Sequence, residues 1–90
     1  MPYADGAIEL PCAALNSESR HEDLYQMGLV YSTGQGIAED LVAAHKWFNL
    51  AALKGNEDAK LQRKELAEML SSDELADALK AAREWLSLMN

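Results

Sequence analysis

Ninety residues suffice for one domain with a small core, and a composition 49% hydrophobic and 26% charged is that of a globular chain, not a disordered one. Fifteen acidic against eight basic residues leave a net charge of −7, which excludes the clustered Lys and Arg that nucleic-acid phosphates and anionic membrane surfaces require. The acid excess serves either solubility or the attraction of a basic partner.

Residues 1–18 read as an N-terminal arm. Pro2, Gly6 and Pro11 punctuate it and leave room for at most a short helix over Cys12-Ala13-Ala14-Leu15. The start carries no basic run, and Glu9 and Pro11 interrupt the stretch from Ile8 to Leu15, so neither a signal peptide nor a membrane span is expected and the cytoplasm is the expected compartment. Cys12 is the only cysteine, which rules out an internal disulfide framework and a zinc cluster by spacing. Ala13-Ala14-Leu15-Asn16 echoes Ala51-Ala52-Leu53-Lys54 further on. The arm is then either a degenerate second helix of a preceding hairpin or a surface segment whose apolar residues lie across the first helix.

Ser19 and Glu22 stand three apart, as a capping box requires, so a first helix is expected from near Arg20 to about Thr33. Leu24, Met27, Gly28 and Tyr31 share one of its faces. His21, in the first turn, is expected to be solvated. Gly34-Gln35-Gly36 supplies two positions that turn sharply before Ile37 re-enters the core. Asp40 is placed to cap a second helix, in which Leu41, Ala44, Trp47, Phe48, Ala51 and Ala52 keep amphipathic spacing. That helix stops at Lys54-Gly55, a cation in the last turn followed by a glycine.

Asn56 caps a third helix over about 57–70, with Glu57 and Asp58 at its positive end and a stripe of Ala59, Gln62, Leu66, Met69 and Leu70. Ser71 and Glu74 form a further capping box, opening a fourth helix over about 72–88. Leu75, Leu79, Ala82 and Leu86 line one face of it, with Trp85 and Met89 alongside, while Asp77, Lys80 and Glu84 pair on the other. It reads as a lid with a polar exterior.

The set Met27, Gly28, Tyr31, Gly34, Gly36, Ile37, Asp40, Ala44, Trp47, Ala51, Ala52, Gly55 and Ala59, in both residue type and spacing, resembles the Sel-1-like repeat, a branch of the tetratricopeptide-type α-α repeats. The resemblance spans Leu24 to Ala59 and implies an all-α chain. Its architecture would be a short α-α superhelix: one Sel-1-like hairpin over about residues 20–54, a third helix and a C-terminal capping helix. Three departures matter. Asp23 stands where the family usually has a small alanine, suggesting that no ordinary repeat precedes this one; Arg63-Lys64 stand where Met27-Gly28 stand in the first hairpin; and no Gly-x-Gly loop follows. The ending resembles the segments that close short bacterial Sel-1-like proteins. The cysteines of the secreted members are absent, so their properties do not transfer.

Residues that carry chemistry are sparse. His21 and His45 lie on different helices without a carboxylate or cysteine set to complete a metal site, and HExxH, P-loop and GxSxG patterns are missing. Gly34-Gln35-Gly36 lacks the Lys-Ser/Thr of a phosphate cradle. Neither an enzyme nor a cofactor is expected. Lys46, Lys54, Lys60 and Lys64 form a basic fringe, either solvated or open to an acidic peptide.

The resemblance implies a protein-interaction module, a scaffold or adaptor for a protein or peptide. In such solenoids the first helix of each hairpin lines the concave face, making Glu22, Tyr25, Gln26, Leu29 and Val30 the candidate partner contacts, as residues not committed to the core. The alternative is a self-assembling unit that stacks into a homodimer or longer solenoid, motivated by the apolar segment from Ile8 to Leu15 and the small core.

Overall fold

The computed structural model describes Leu15 and residues 19–89, and among these it is all-helical without a strand. Four helices follow in order: α1 (His21–Thr33), α2 (Leu41–Leu53), α3 (Glu57–Met69) and α4 (Ser72–Met89). The expected short helix at 12–15, its echo of 51–54 and the free Cys12 lie outside the described residues, except that Leu15 is half-buried and packs against the core.

α2 is the centre of the molecule. Each of the other three helices packs against it, because Ala44, His45, Trp47, Phe48, Leu50, Ala51 and Ala52 are all buried and leave only a narrow outer stripe to solvent. α1 contributes Leu24, Met27 and Gly28, and α3 contributes Ala59 and Leu66. α4 adds Ala78, Ala82 and Trp85. Fully burying side chains such as Phe48, Leu24 and Met27 stabilises by about 1.5–3 kcal/mol each.

The turns follow from local chemistry. Gly34 ends α1 in the left-handed conformation, φ 72°, and its N–H donates to the Val30 carbonyl at 3.0 Å. Gly36 is also left-handed, at φ 77°. The Asp40 N–H then donates back to the Tyr31 carbonyl at 3.0 Å, closing the connection. The Asp40 carboxylate accepts from the Ala43 N–H at 3.0 Å and starts α2. At the other end, the Gly55 N–H donates to the Ala52 carbonyl and the Asn56 N–H to that of Ala51, the paired bonds of a Schellman stop that needs positive φ at Gly55, here 98°. Asn56 then starts α3, its Oδ1 accepting from the Ala59 N–H at 2.7 Å. α4 opens on the expected reciprocal box: the Glu74 N–H donates to Ser71 Oγ at 3.1 Å, and the Ser71 N–H donates to Glu74 Oε1 at 2.9 Å.

Three expectations need correction. α1 spans His21–Thr33, as expected, but not from a Ser19 capping box: its N-cap position is Arg20, which is extended and makes no side-chain cap bond, and Glu22 is bound by the Arg20 guanidinium. On α3, Met69 belongs to the surface, at 67% exposure: α3 packs chiefly on α2, and the residues it buries there are Ala59 and Leu66. On α4 the buried face is turned from the leucine stripe toward Ala78, Ala82 and Trp85, with Leu79 exposed and Leu75 and Leu86 half-buried. The two alanines let α4 approach α2 closely, and Trp85 meets Trp47 edge to face with ring centroids 5.5 Å apart.

Candidate interaction surface

The intimacy of α1 and α2 decides which α1 side chains are free. Gly28 faces the Phe48 ring so closely that a Cβ built there would lie 2.5 Å from two of its carbons. Tyr25 also packs against that ring, with centroids 5.5 Å apart at 49°. Tyr25 and Leu29 are therefore half-buried members of the core margin rather than free contacts, which corrects the expectation that neither was committed to the core. Val30 is also half-buried, on the opposite flank. Glu22 and Gln26 are the candidates that stand clear, both exposed. The five residues thus make one mixed strip, polar along its crest and apolar along its sides.

Charge on this strip is partly spent locally. Arg20 grips Glu22 with two hydrogen bonds, Nε to Oε1 at 3.0 Å and Nη2 to Oε2 at 3.1 Å, and these bonds hold the Glu22 carboxyl below the ordinary carboxylate range. Asp23 is exposed beside it, consistent with a position that meets no further helix among the described residues.

His21 is not merely solvated, as its place in the first turn suggested. Asn56 commits Oδ1 to capping α3, so its amide meets His21 through Nδ2, which donates to the ring Nδ1 at 3.0 Å. The ring proton then belongs on Nε2, 3.8 Å from Glu22 Oε1. Through this bond the start of α1 is tied to the start of α3.

The basic fringe is likewise engaged. Lys54 Nζ donates to the Ser19 carbonyl at 2.6 Å, Lys60 pairs with Glu57 at 2.9 Å, and Lys46 Nζ lies 4.5 Å from the centre of the Trp47 ring. Arg63, in the place of Met27, reaches back to α2 and donates to Asn49 Oδ1 at 2.8 Å. A second hairpin built like the first would have an apolar residue here; this chain substitutes a polar tie.

The residues that carry the resemblance are mostly buried or at turns. Met27, Gly28, Ala44, Trp47, Ala51, Ala52 and Ala59 are buried, Tyr31 packs at the core edge, and Gly34, Gly36, Gly55 and Asp40 make the turns and the cap described above. The residue sequence reasoning passed over is His45, which is 2% exposed. Positions 45, 48 and 52 fall on one helical stripe, but a histidine within it is ambiguous until the neighbouring helices are placed.

Among the described residues, no three His, Cys, Asp or Glu side chains gather as a metal site, and no helix is long and apolar enough to cross a membrane. No protein-family model, curated protein or solved structure matches this chain.

Proposed function

We propose that the chain is a non-catalytic protein-interaction module of the Sel-1-like class, a short α-α superhelix in which α1 and α2 form the repeat hairpin, α3 begins a degenerate second one and α4 closes the end. It acts as a cytoplasmic scaffold or adaptor, binding a protein or peptide along the outward strip of α1. The observation that carries this reading is the strip itself: exposed Glu22 and Gln26 flanked by half-buried Tyr25, Leu29 and Val30, on a helix fixed by the Gly28–Phe48 contact. A rigid helix offering apolar flanks and a polar crest suits one extended peptide or one helix of a partner.

The test must avoid side chains that also hold the fold. Gln26→Lys with Val30→Ser alters the strip while leaving Tyr25 and Leu29 in place. Affinity capture with the wild-type chain, compared quantitatively with the double variant, should show a specific binder that the variant loses at unchanged circular dichroism. An identical set of captured proteins for both chains sinks the assignment of this face.

A second reading, self-assembly into a homodimer or longer stack, is favoured by Leu53, Leu61, Met69 and Leu88, which are 57–79% exposed. Light scattering distinguishes the two. A dimer that becomes a monomer on deletion of residues 1–16 supports assembly through the arm, and a monomer in both forms supports the adaptor.

A further inference from the structure

His45 lies inside the helix that all the others pack against, is 2% exposed, and has an Nδ1 atom with no hydrogen-bond partner. One turn further along the same face, Asn49 accepts the hydrogen bond from Arg63 that ties α3 to α2. That bond holds the Arg63 guanidinium on the side of α2 that also carries His45, and its charge disfavours a second positive charge on the ring.

We propose that His45 makes the packing of α3 on α2 acid-labile, so that mild acidification loosens this helix pair. Protonation would place an imidazolium, whose Nδ1 has no hydrogen-bond partner, in a buried site under the field of the Arg63 guanidinium, and each of these disfavours the charged form. Burial first and Arg63 second hold the imidazole below the ordinary histidine range. The sign follows from linkage. A histidine whose folded-state value is depressed contributes stability above its unfolded value and loses it as pH falls toward the folded one. α3 is the helix that gives way, because it buries only Ala59 and Leu66 and relies on polar ties at Asn56 and Arg63.

The experiment is urea unfolding of the full chain and of His45→Leu and His45→Gln, each first shown to be folded, at about pH 7.5 and about pH 5.5. Between these values the folded-to-unfolded ratio of the wild type should fall by up to about tenfold more than that of the variants, the ceiling for a histidine that protonates only when unfolded. Equal losses in wild type and variants overturn the proposal. Should neither variant fold, the His45 ring is followed by NMR in the wild type, where titration at or above the ordinary histidine value overturns it. Amide exchange reads the location: protection falling in α3 before α1 is expected, and an even fall across all four helices refutes the assignment to the α2–α3 contact.

Discussion

In an exposed helix, replacing glycine by alanine stabilises by about 1 kcal/mol, because glycine loses the most backbone freedom on folding. At Gly28 the sign should reverse. An alanine Cβ would stand 2.5 Å from Cδ1 and Cε1 of Phe48 and 2.9 Å from its Cγ, against an optimal carbon–carbon separation of about 3.5–4.0 Å. The ring has no room to retreat: Phe48 is fully buried, Tyr25 lies against it, and α1 and α2 are fixed at both ends of their connection by the Gly34 turn and the Asp40 bond to Tyr31. Overpacking of this kind costs about 1–3 kcal/mol, and with no room for the ring the upper part of that range applies, so after the propensity gain of about 1 kcal/mol Gly28→Ala should destabilise by up to about 2 kcal/mol net. That corresponds to a melting temperature lower by several degrees, about 4–8 °C for each kcal/mol in a chain this size. Urea titration followed by far-UV circular dichroism measures it, with the slope checked for constancy. Phe48→Leu should relieve the clash, so that the double variant shows a coupling of at least about 0.5 kcal/mol in the favourable direction. A Gly28→Ala chain as stable as wild type, or more so, would refute the claim that the hairpin depends on a missing side chain here.

Asn56→Ala removes both the α3 cap and the donor to His21 and should cost about 1–2 kcal/mol, while Asn56→Asp, which keeps the capping oxygen, should cost less; chemical denaturation ranks them. Ser71→Ala should lose about 1 kcal/mol by opening the box at the start of α4. Trp85→Ala should remove about 3–5 kcal/mol, a large share of the stability of a small domain, and abolish the near-UV signal that the Trp47–Trp85 pair contributes. Gln26→Lys should stay within about 0.5 kcal/mol of wild type in unfolding while changing partner capture, which would separate binding from folding.

Much of this fold was legible because its decisions are local. Asp40, Asn56 and the Ser71–Glu74 box act within three residues of themselves, and the turn at Gly55 needs only its own φ. What sequence missed depends on a partner distant in the chain. The spacing of α4 put Ala82 inward with Trp85 beside it, but it does not show that Trp85 will seek Trp47 and bring Ala78 in, leaving Leu79 to solvent. The role of His21 depends on Asn56, thirty-five positions away. The interaction strip was half legible: helical period put Glu22 and Gln26 outside, but the periodicity of α1 alone cannot reveal that the Phe48 ring reaches round to claim Tyr25. His45 was hidden for a related reason, since a polar residue within an apolar stripe signals burial only once all the surrounding helices are in place.

The division of labour among the helices bears on how this molecule can change. α2 supplies more of the core than any other helix and serves all three neighbours, with Phe48 against Gly28 and Tyr25 of α1 and Trp47 against Trp85 of α4. The outer helices each pack chiefly on α2, with the starts of α1 and α3 also joined by the His21–Asn56 bond. α1 is the more firmly held of its neighbours α1 and α3, through Leu24, Met27 and the ring contact. α3 buries an alanine and a leucine and is otherwise anchored by hydrogen bonds that water can replace. A surface that must present fixed side chains to a partner is best placed on α1, and motion is best placed on α3. The strip of Glu22, Gln26 and Val30 lies on the outer side of α1, and the packing proposed to be acid-labile lies where α3 meets α2, with the His21–Asn56 bond joining the starts of α1 and α3.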